Sequence, residues 1–282
     1  MKLTRLLLPA VLAILVTTLD AQTIRLMTYN IRYDNPADGE NNWHNRKAGL
    51  VRQLKFHEPG IFGIQEGLAH QVAYLDSSLS SYSYFGVGRD DGKQKGEYSA
   101  VFYDTGLFRL GDQSTFWLSE TPEEISVGWD AALERICTCA LFEHKASGRK
   151  MWVFNTHFDH IGEKARENSA ALILERMASM NTDGYPAVLM GDFNLEPGTT
   201  AIQSITKKMD DTRYAATLVS FGPDATFNDF RFNVPPSKRI DYIFTSPGSI
   251  RVLKYAVLTD SQNGRYYSDH LPVFAVIELG DH

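Results

Sequence analysis

The chain has 282 residues, 43% apolar and 22% charged, with a net charge of −6. That length suits one large α/β domain or two small ones and buries a substantial core without staples. The acidic balance argues against a tight, nonspecific nucleic-acid binder, whose affinity would come from cations that neutralise phosphates.

The N-terminus reads as a secretory signal. Lys2 and Arg5 form a short basic start, Leu6 to Val16 is uninterrupted apolar sequence, and Thr17 to Gln22 turns polar around the small residue Ala21. Cleavage after Ala21 is expected, giving a signal peptide over 1–21 and a single domain over 22–282 that is secreted or periplasmic. Removing Lys2, Arg5 and Asp20 moves the net charge from −6 to −7. The apolar run is too short for a spanning helix, so no membrane span is expected. No protein partner is evident either.

Runs rich in Val, Ile, Phe and Tyr then recur as predicted strands. They cover Ile24–Tyr29, Ile61–Ile64, Tyr82–Val87, Ser99–Tyr103 and Arg135–Glu143. The later ones are Met151–Thr156, Ala187–Met190, Ile240–Thr245, Val252–Leu258 and Val273–Leu279. Helical spacing falls over Trp43–His57, which stops before Pro59, and over Gly162–Met180. Many strands, fewer helices and several direct strand-to-strand passages predict sheet packed on sheet with helices outside. Cys137 and Cys139 lie two apart in one strand, so they share a face and are badly placed to bridge each other.

Polar residues stand at the ends of these strands, where loops converge on a rigid frame. Asn30 closes the first and Glu66 the second. His157 and Asp159 follow Asn155-Thr156. Asp192 and Asn194 sit in Gly191-Asp192-Phe193-Asn194, Asp241 in Arg239-Ile240-Asp241-Tyr242, and Asp269-His270 precede the last strand. Carboxylates and amides without a Cys ligand suit a hard cation, magnesium or manganese, and not zinc.

In that order the motifs Thr28-Tyr29-Asn30, Gln65-Glu66, Asn155-Thr156-His157, Gly191 to Asn194, Arg239 to Tyr242 and Ser268-Asp269-His270 resemble those of the endonuclease/exonuclease/phosphatase superfamily. The resemblance implies a deoxyribonuclease I-like α/β (α+β) fold, a four-layer sandwich of two mainly antiparallel sheets with helices on both outer faces. It also implies metal-dependent hydrolysis of a phosphate ester by in-line attack of water. Glu66 and Asp269 would hold Mg2+ (or Mn2+), with Asn30 in the metal set as the orienting amide. Asp192 would position or deprotonate the water, and Asn194 would donate to the phosphate. His270, held by Asp241, would act as acid/base or as an imidazolium facing the phosphate. His157 would be a second imidazole paired with Glu97, and Arg135 would reach the phosphate.

For the substrate, Trp129 and Asp130 are read as a stacking face and an acceptor, and His160 as a rim residue. Lys95 stands where deoxyribonuclease I-like members present a tyrosine to DNA. Basic residues are scattered, with Arg46-Lys47, Lys207-Lys208 and Lys238-Arg239 the adjacent pairs. A small or terminal phosphate ester is therefore expected over a nucleic acid. The alternatives are a nuclease, a phospholipid or sphingolipid phosphodiesterase, and a catalytically silent binding module on the same fold.

Overall fold

The computed structural model describes residues 23–280, so the expected signal segment lies outside the described residues. In chain order the first elements are β1 (Ile24–Asn30), a 3-10 turn (Pro36–Asn41), α1 (Trp43–His57), β2 (Ile61–Gln65), α2 (Ala69–Ser78), β3 (Tyr82–Phe85) and β4 (Val101–Asp104). There follow β5 (Phe108–Trp117), β6 (Ile136–His144), β7 (Lys150–His157), α3 (Glu163–Met180), β8 (Ala187–Asp192), α4 (Thr200–Thr206) and β9 (Asp210–Asp211). The last are α5 (Thr212–Ala215), β10 (Val219–Phe221), β11 (Asp241–Thr245), β12 (Ile250–Val257), β13 (Ser261–Gln262), β14 (Arg265–Tyr266) and β15 (Val273–Leu279).

One sheet runs β10-β12-β15-β1-β2-β4-β3 and the second runs β5-β6-β7-β8-β11-β9. Each contains parallel pairs, β1 with β2 and β10 with β12 in the first and β7 with β8 in the second. The remaining pairings are antiparallel. Three apolar cores separate four layers. Leu26, Ile61, Val153, Met190, Ile243 and Val273 pack between the sheets. Leu50, Leu54, Val72 and Leu75 of α1 and α2 close on Met27 and Phe62. Ile173, Met177, Ile202 and Ile205 of α3 and α4 close on Phe154 and Leu189. Alternate residues of a central strand thus enter different cores, which is why β1 is apolar on both faces.

The expected helices form with their boundaries nearly as predicted. Asn42 caps α1 by accepting the Asn45 N–H at 3.2 Å, and Glu58 ends it in the left-handed region just before Pro59. Among the elements that escaped the sequence pattern are β5, α2 and α4. β5 is interrupted by an irregular register between Leu110 and Gln113, so its alternation fails. α2 and α4 are short and lack a side-chain cap hydrogen bond. Cys137 and Cys139 are free thiols buried beneath α3, as their spacing implied. Among the described residues no helix is long and apolar enough to cross a membrane.

Candidate active site

The two sheets each supply part of one cleft. Asn30 at the end of β1, Glu66 just beyond β2 and Asp269-His270 ahead of β15 come from the first sheet. His157 at the end of β7, Asp192 at the end of β8 and Asp241 at the start of β11 come from the second. Glu66, Glu97, Arg135, His157, His160, Asp192, Asn194, Asp269 and His270 line a cleft of about 670 Å3. Asn30 and Asp241 are buried and hold the lining residues from beneath.

Asn30 is the bracket between the sheets. Its Nδ2 donates to Glu66 Oε1 at 3.0 Å and to Asp192 Oδ2 at 2.9 Å, while its Oδ1 accepts the Arg32 N–H at 3.0 Å. The Tyr33 N–H secures the other Glu66 oxygen at 3.1 Å. Glu66 takes φ 63 and Asn194 φ 51, left-handed geometries that a non-glycine residue adopts at a cost and that are common at functional sites. Asn30 was expected in the metal set as the amide that orients Glu66, and its side chain holds Glu66, Asp192 and the Arg32 backbone in place.

His270 Nδ1 lies 2.9 Å from Asp241 Oδ2, and its Nε2 faces Asp192 Oδ2 at 3.8 Å. Burial opposes a charge on His270, but the carboxylates of Asp241 and Asp192 overcome it and hold the imidazolium well above the usual histidine range. Asp192 is pushed up to about 7, chiefly by burial and then by the negative charge of Asp241. Its Oδ1 accepts the Asn194 N–H at 2.9 Å, which fixes the carboxylate's orientation. A base that titrates near neutrality and an imidazole kept charged beside it form a usable acid/base pair.

This arrangement is accompanied by a sequence match over the same span. A family model for the Endonuclease/Exonuclease/phosphatase family matches residues 27–270. The chain belongs to that family. A family protein from Bacteroides thetaiotaomicron superposes with a TM-score of 0.88 at 37% identity, covering 93% of this chain and 99% of the other. The mannosyl-6-phosphatase of that organism gives a TM-score of 0.86 at 39% identity, covering 90% and 99%. A probable RNA exonuclease of Saccharomyces cerevisiae is 28% identical over 213 residues, 68% of this chain. An uncharacterized protein of Acanthamoeba polyphaga mimivirus is 27% identical over 161 residues. The chain spans 60% of the mimivirus protein and 41% of the yeast one.

As an Endonuclease/Exonuclease/phosphatase family member, the chain is a phosphoester hydrolase, and its donor set fits a divalent cation. Glu66, His157 and Asp192 each offer one ligand atom, all within 4.8 Å of one another. His157 suits this role because burial and the charges of Arg135 and Arg89 hold its pKa well below the usual range, leaving a neutral ring. Asp269 lines the same cleft beside Arg32, at 3.7 Å. A second triplet, Asp192, Asp241 and His270, is equally compact, but within it the His270 ring is already hydrogen-bonded to Asp241.

Several expected contacts change. Glu97 does not hydrogen-bond His157; their atoms stand 3.8 Å apart. Arg89 takes both Glu97 oxygens, at 2.8 and 3.0 Å, because the turn between β3 and β4 folds back on itself. Arg135 is held by Asp159 at 3.2 Å and by His160 Nδ1 at 2.9 Å, so His160 positions an arginine at the cleft wall. Trp129 and Asp130 are not among the cleft-lining residues. Asp130 instead accepts the N–H groups of Ala165 at 2.7 Å and Lys164 at 3.3 Å, capping α3. Phe116, which precedes the Trp129 loop, lies in the core beneath α3 and α4.

The cleft also holds residues the sequence reading passed over. Arg32 and Tyr33 follow Asn30 directly, so their place in the motif was the available signal. Arg89, Phe227, Asp229, Phe230 and Lys238 line the cleft from loops that carry no periodic signal. The Phe227 ring meets His270 edge-on at 5.2 Å. Asn228 ties this loop to the catalytic segment, donating from Nδ2 to the Ser268 carbonyl at 3.1 Å and accepting the Phe230 N–H at 2.8 Å.

Proposed function

We propose that this protein is an exported, magnesium- or manganese-dependent phosphatase that removes phosphate from a small or terminal phosphate ester. A phosphorylated sugar is the substrate class we favour. The observation that carries the chemistry is the buried Asp192, 3.8 Å from a His270 already paired to Asp241. The likeness to a mannosyl-6-phosphatase along nearly the whole of both chains supports the substrate class. The basic start and apolar run at the N-terminus support export.

Glu66 and Asp269, with Asp192 and His157 close by, would hold the cation, which supplies positive charge against the phosphoryl oxygens. Asp192 orients the attacking water and takes its proton. The His270 imidazolium hydrogen-bonds a phosphoryl oxygen or protonates the departing alkoxide, and Asp241 keeps the ring charged and correctly turned. Asn194, expected to donate to the phosphate, gives its amide N–H groups to His157 Nε2 at 3.1 Å and the Phe158 carbonyl at 3.0 Å, so its role is to position that imidazole at the cleft. No covalent intermediate with the protein is required.

The test is a substrate panel with magnesium or manganese: mannose 6-phosphate, p-nitrophenyl phosphate, bis-p-nitrophenyl phosphate, RNA and plasmid DNA. Phosphate release from the sugar phosphate is expected to exceed cleavage of the other natural substrates. Faster breakdown of RNA or plasmid, abolished by Asp192→Asn, would replace the phosphatase reading with a nuclease.

A further inference from the structure

We propose that Arg32 contacts the third free oxygen of a phosphate monoester and thereby selects monoesters over diesters, an inference that rests on the phosphatase reading above. Its guanidinium is fixed from one side only. Nε and one terminal nitrogen donate to the two Asp38 oxygens, both at 3.0 Å. The other terminal nitrogen is turned toward Asp269 Oδ2 at 3.7 Å, inside the cleft. The fork that arginine uses to grip a carboxylate thus holds it rigid and leaves an N–H edge to spare.

The backbone is equally committed. Arg32 adopts φ 57, an uncommon geometry for a side-chain-bearing residue. Asn30 Oδ1 accepts its N–H at 3.0 Å, and Arg46 donates to its carbonyl at 3.2 Å. The guanidinium lies 4.6 Å over the Tyr33 ring. Strain kept up by several independent contacts is typical of a working position.

The other cleft cations are differently placed. Arg89 gives both terminal nitrogens to Glu97. Arg135 gives Nε to Asp159 and one terminal nitrogen to His160, and its remaining nitrogen is buried. Lys238 is exposed. Arg32, with its side chain about a quarter exposed, offers a fixed and accessible donor beside Asp269. A monoester dianion has three unesterified oxygens and more negative charge than a diester. With His270 and the cation that Glu66 and Asp269 would hold serving two of them, the Arg32 edge serves the third, the one that carries a second alcohol in a diester.

The experiment compares p-nitrophenyl phosphate with bis-p-nitrophenyl phosphate, which share a leaving group, in wild type, Arg32→Gln, Arg32→Lys and Arg265→Gln. A lost hydrogen bond to a charged group corresponds to a drop of about 10- to 100-fold in monoester kcat/KM for Arg32→Gln. Diester hydrolysis is expected to change by less than about threefold, since that oxygen carries no charge to lose. Arg32→Lys keeps the charge without the fork and is expected to fall between. Arg265→Gln removes an exposed charge that does not line the cleft, and the ratio should hold. Calorimetry with inorganic phosphate and the magnesium-loaded protein gives a second readout, in which Arg32→Gln weakens phosphate about tenfold without weakening magnesium. Parallel loss on both substrates, or unchanged phosphate affinity, would overturn the assignment. Should Arg32→Gln fail to fold, the Arg32→Lys ratio decides alone. A wild type that prefers nucleic acid defeats the phosphatase reading, while the change in monoester-to-diester ratio still reports on Arg32.

Discussion

Asp192 is where stability and chemistry oppose each other. Its carboxyl is pushed up to about 7 in the fold, against an ordinary value of 3.8. The folded protein therefore binds that proton more tightly than the unfolded chain does. The proton's contribution to stability is fully present below about 4 and is lost as pH rises toward 7. Asp192→Asn removes the buried charge, so its melting temperature at pH 8 is expected to exceed that of wild type, and the gap should close near pH 4. Hydrolysis should be lost. A melting temperature at pH 8 below that of wild type would show that the hydrogen bonds from Asn30 and Asn194 outweigh the burial of charge. In the wild type the acid limb of kcat/KM is expected near 7 at low magnesium, because the base works ionised. It should move to lower pH as magnesium rises, since a cation favours the charged carboxylate. His270 and Asp241 form the complementary unit. His270→Ala and Asp241→Ala should each remove most activity, and the double variant little more. Additive losses would show that the two do not cooperate.

At the scale of elements, legibility followed periodicity. The central strands are buried on both faces, so their apolar runs announce them, and the residues at their ends form the cleft. Asn30, Glu66, His157, Asp192, Asp241 and His270 were readable because strand ends fix where a side chain goes. Loops lack that constraint. Arg89 meets Glu97 only because the chain reverses between β3 and β4, and nothing in the spacing of the two residues encodes it. Asp130 illustrates the opposite error, since a carboxylate beside a tryptophan suggests a ligand but here serves a helix 33 or more residues onward in the chain. Gly162 starts α3 without a side-chain cap, and Asp130 supplies one from outside. Asp130→Ala is expected to cost about 1 kcal/mol and lower the melting temperature by about 3 °C, with kcat/KM within about twofold of wild type. A kcat/KM loss above tenfold at unchanged melting temperature would return Asp130 to the substrate site.

At the scale of the molecule, the site exists only if two sheets hold a fixed offset, because each contributes half of its groups. Apolar packing between sheets is strong but nondirectional, so it sets spacing better than offset. A buried polar joint supplies direction. Asn155 on β7 donates across the interface to the carbonyls of Ile64 at 2.9 Å and Ala100 at 3.0 Å, and accepts from Gln65 Nε2 at 2.7 Å. Gln65 also reaches Thr28 at 3.0 Å, one position from Tyr29 and two from Asn30. Gly63 leaves the necessary room, since a Cβ there would lie 2.4 Å from the Asn155 oxygen. The joint therefore links the strand bearing His157 to the strands bearing Asn30 and Glu66. Asn155→Ala leaves buried carbonyls and an amide short of partners, at a cost of about 2–4 kcal/mol. The melting temperature should fall by about 5–12 °C. If the joint also sets the offset, kcat should fall at least tenfold at a temperature where the variant remains folded, with magnesium affinity reduced alongside. Gly63→Ala should reproduce both effects from the other sheet, by pushing Asn155 away. Full activity in a folded but less stable Asn155→Ala would mean that the apolar core alone holds the two halves of the site in register.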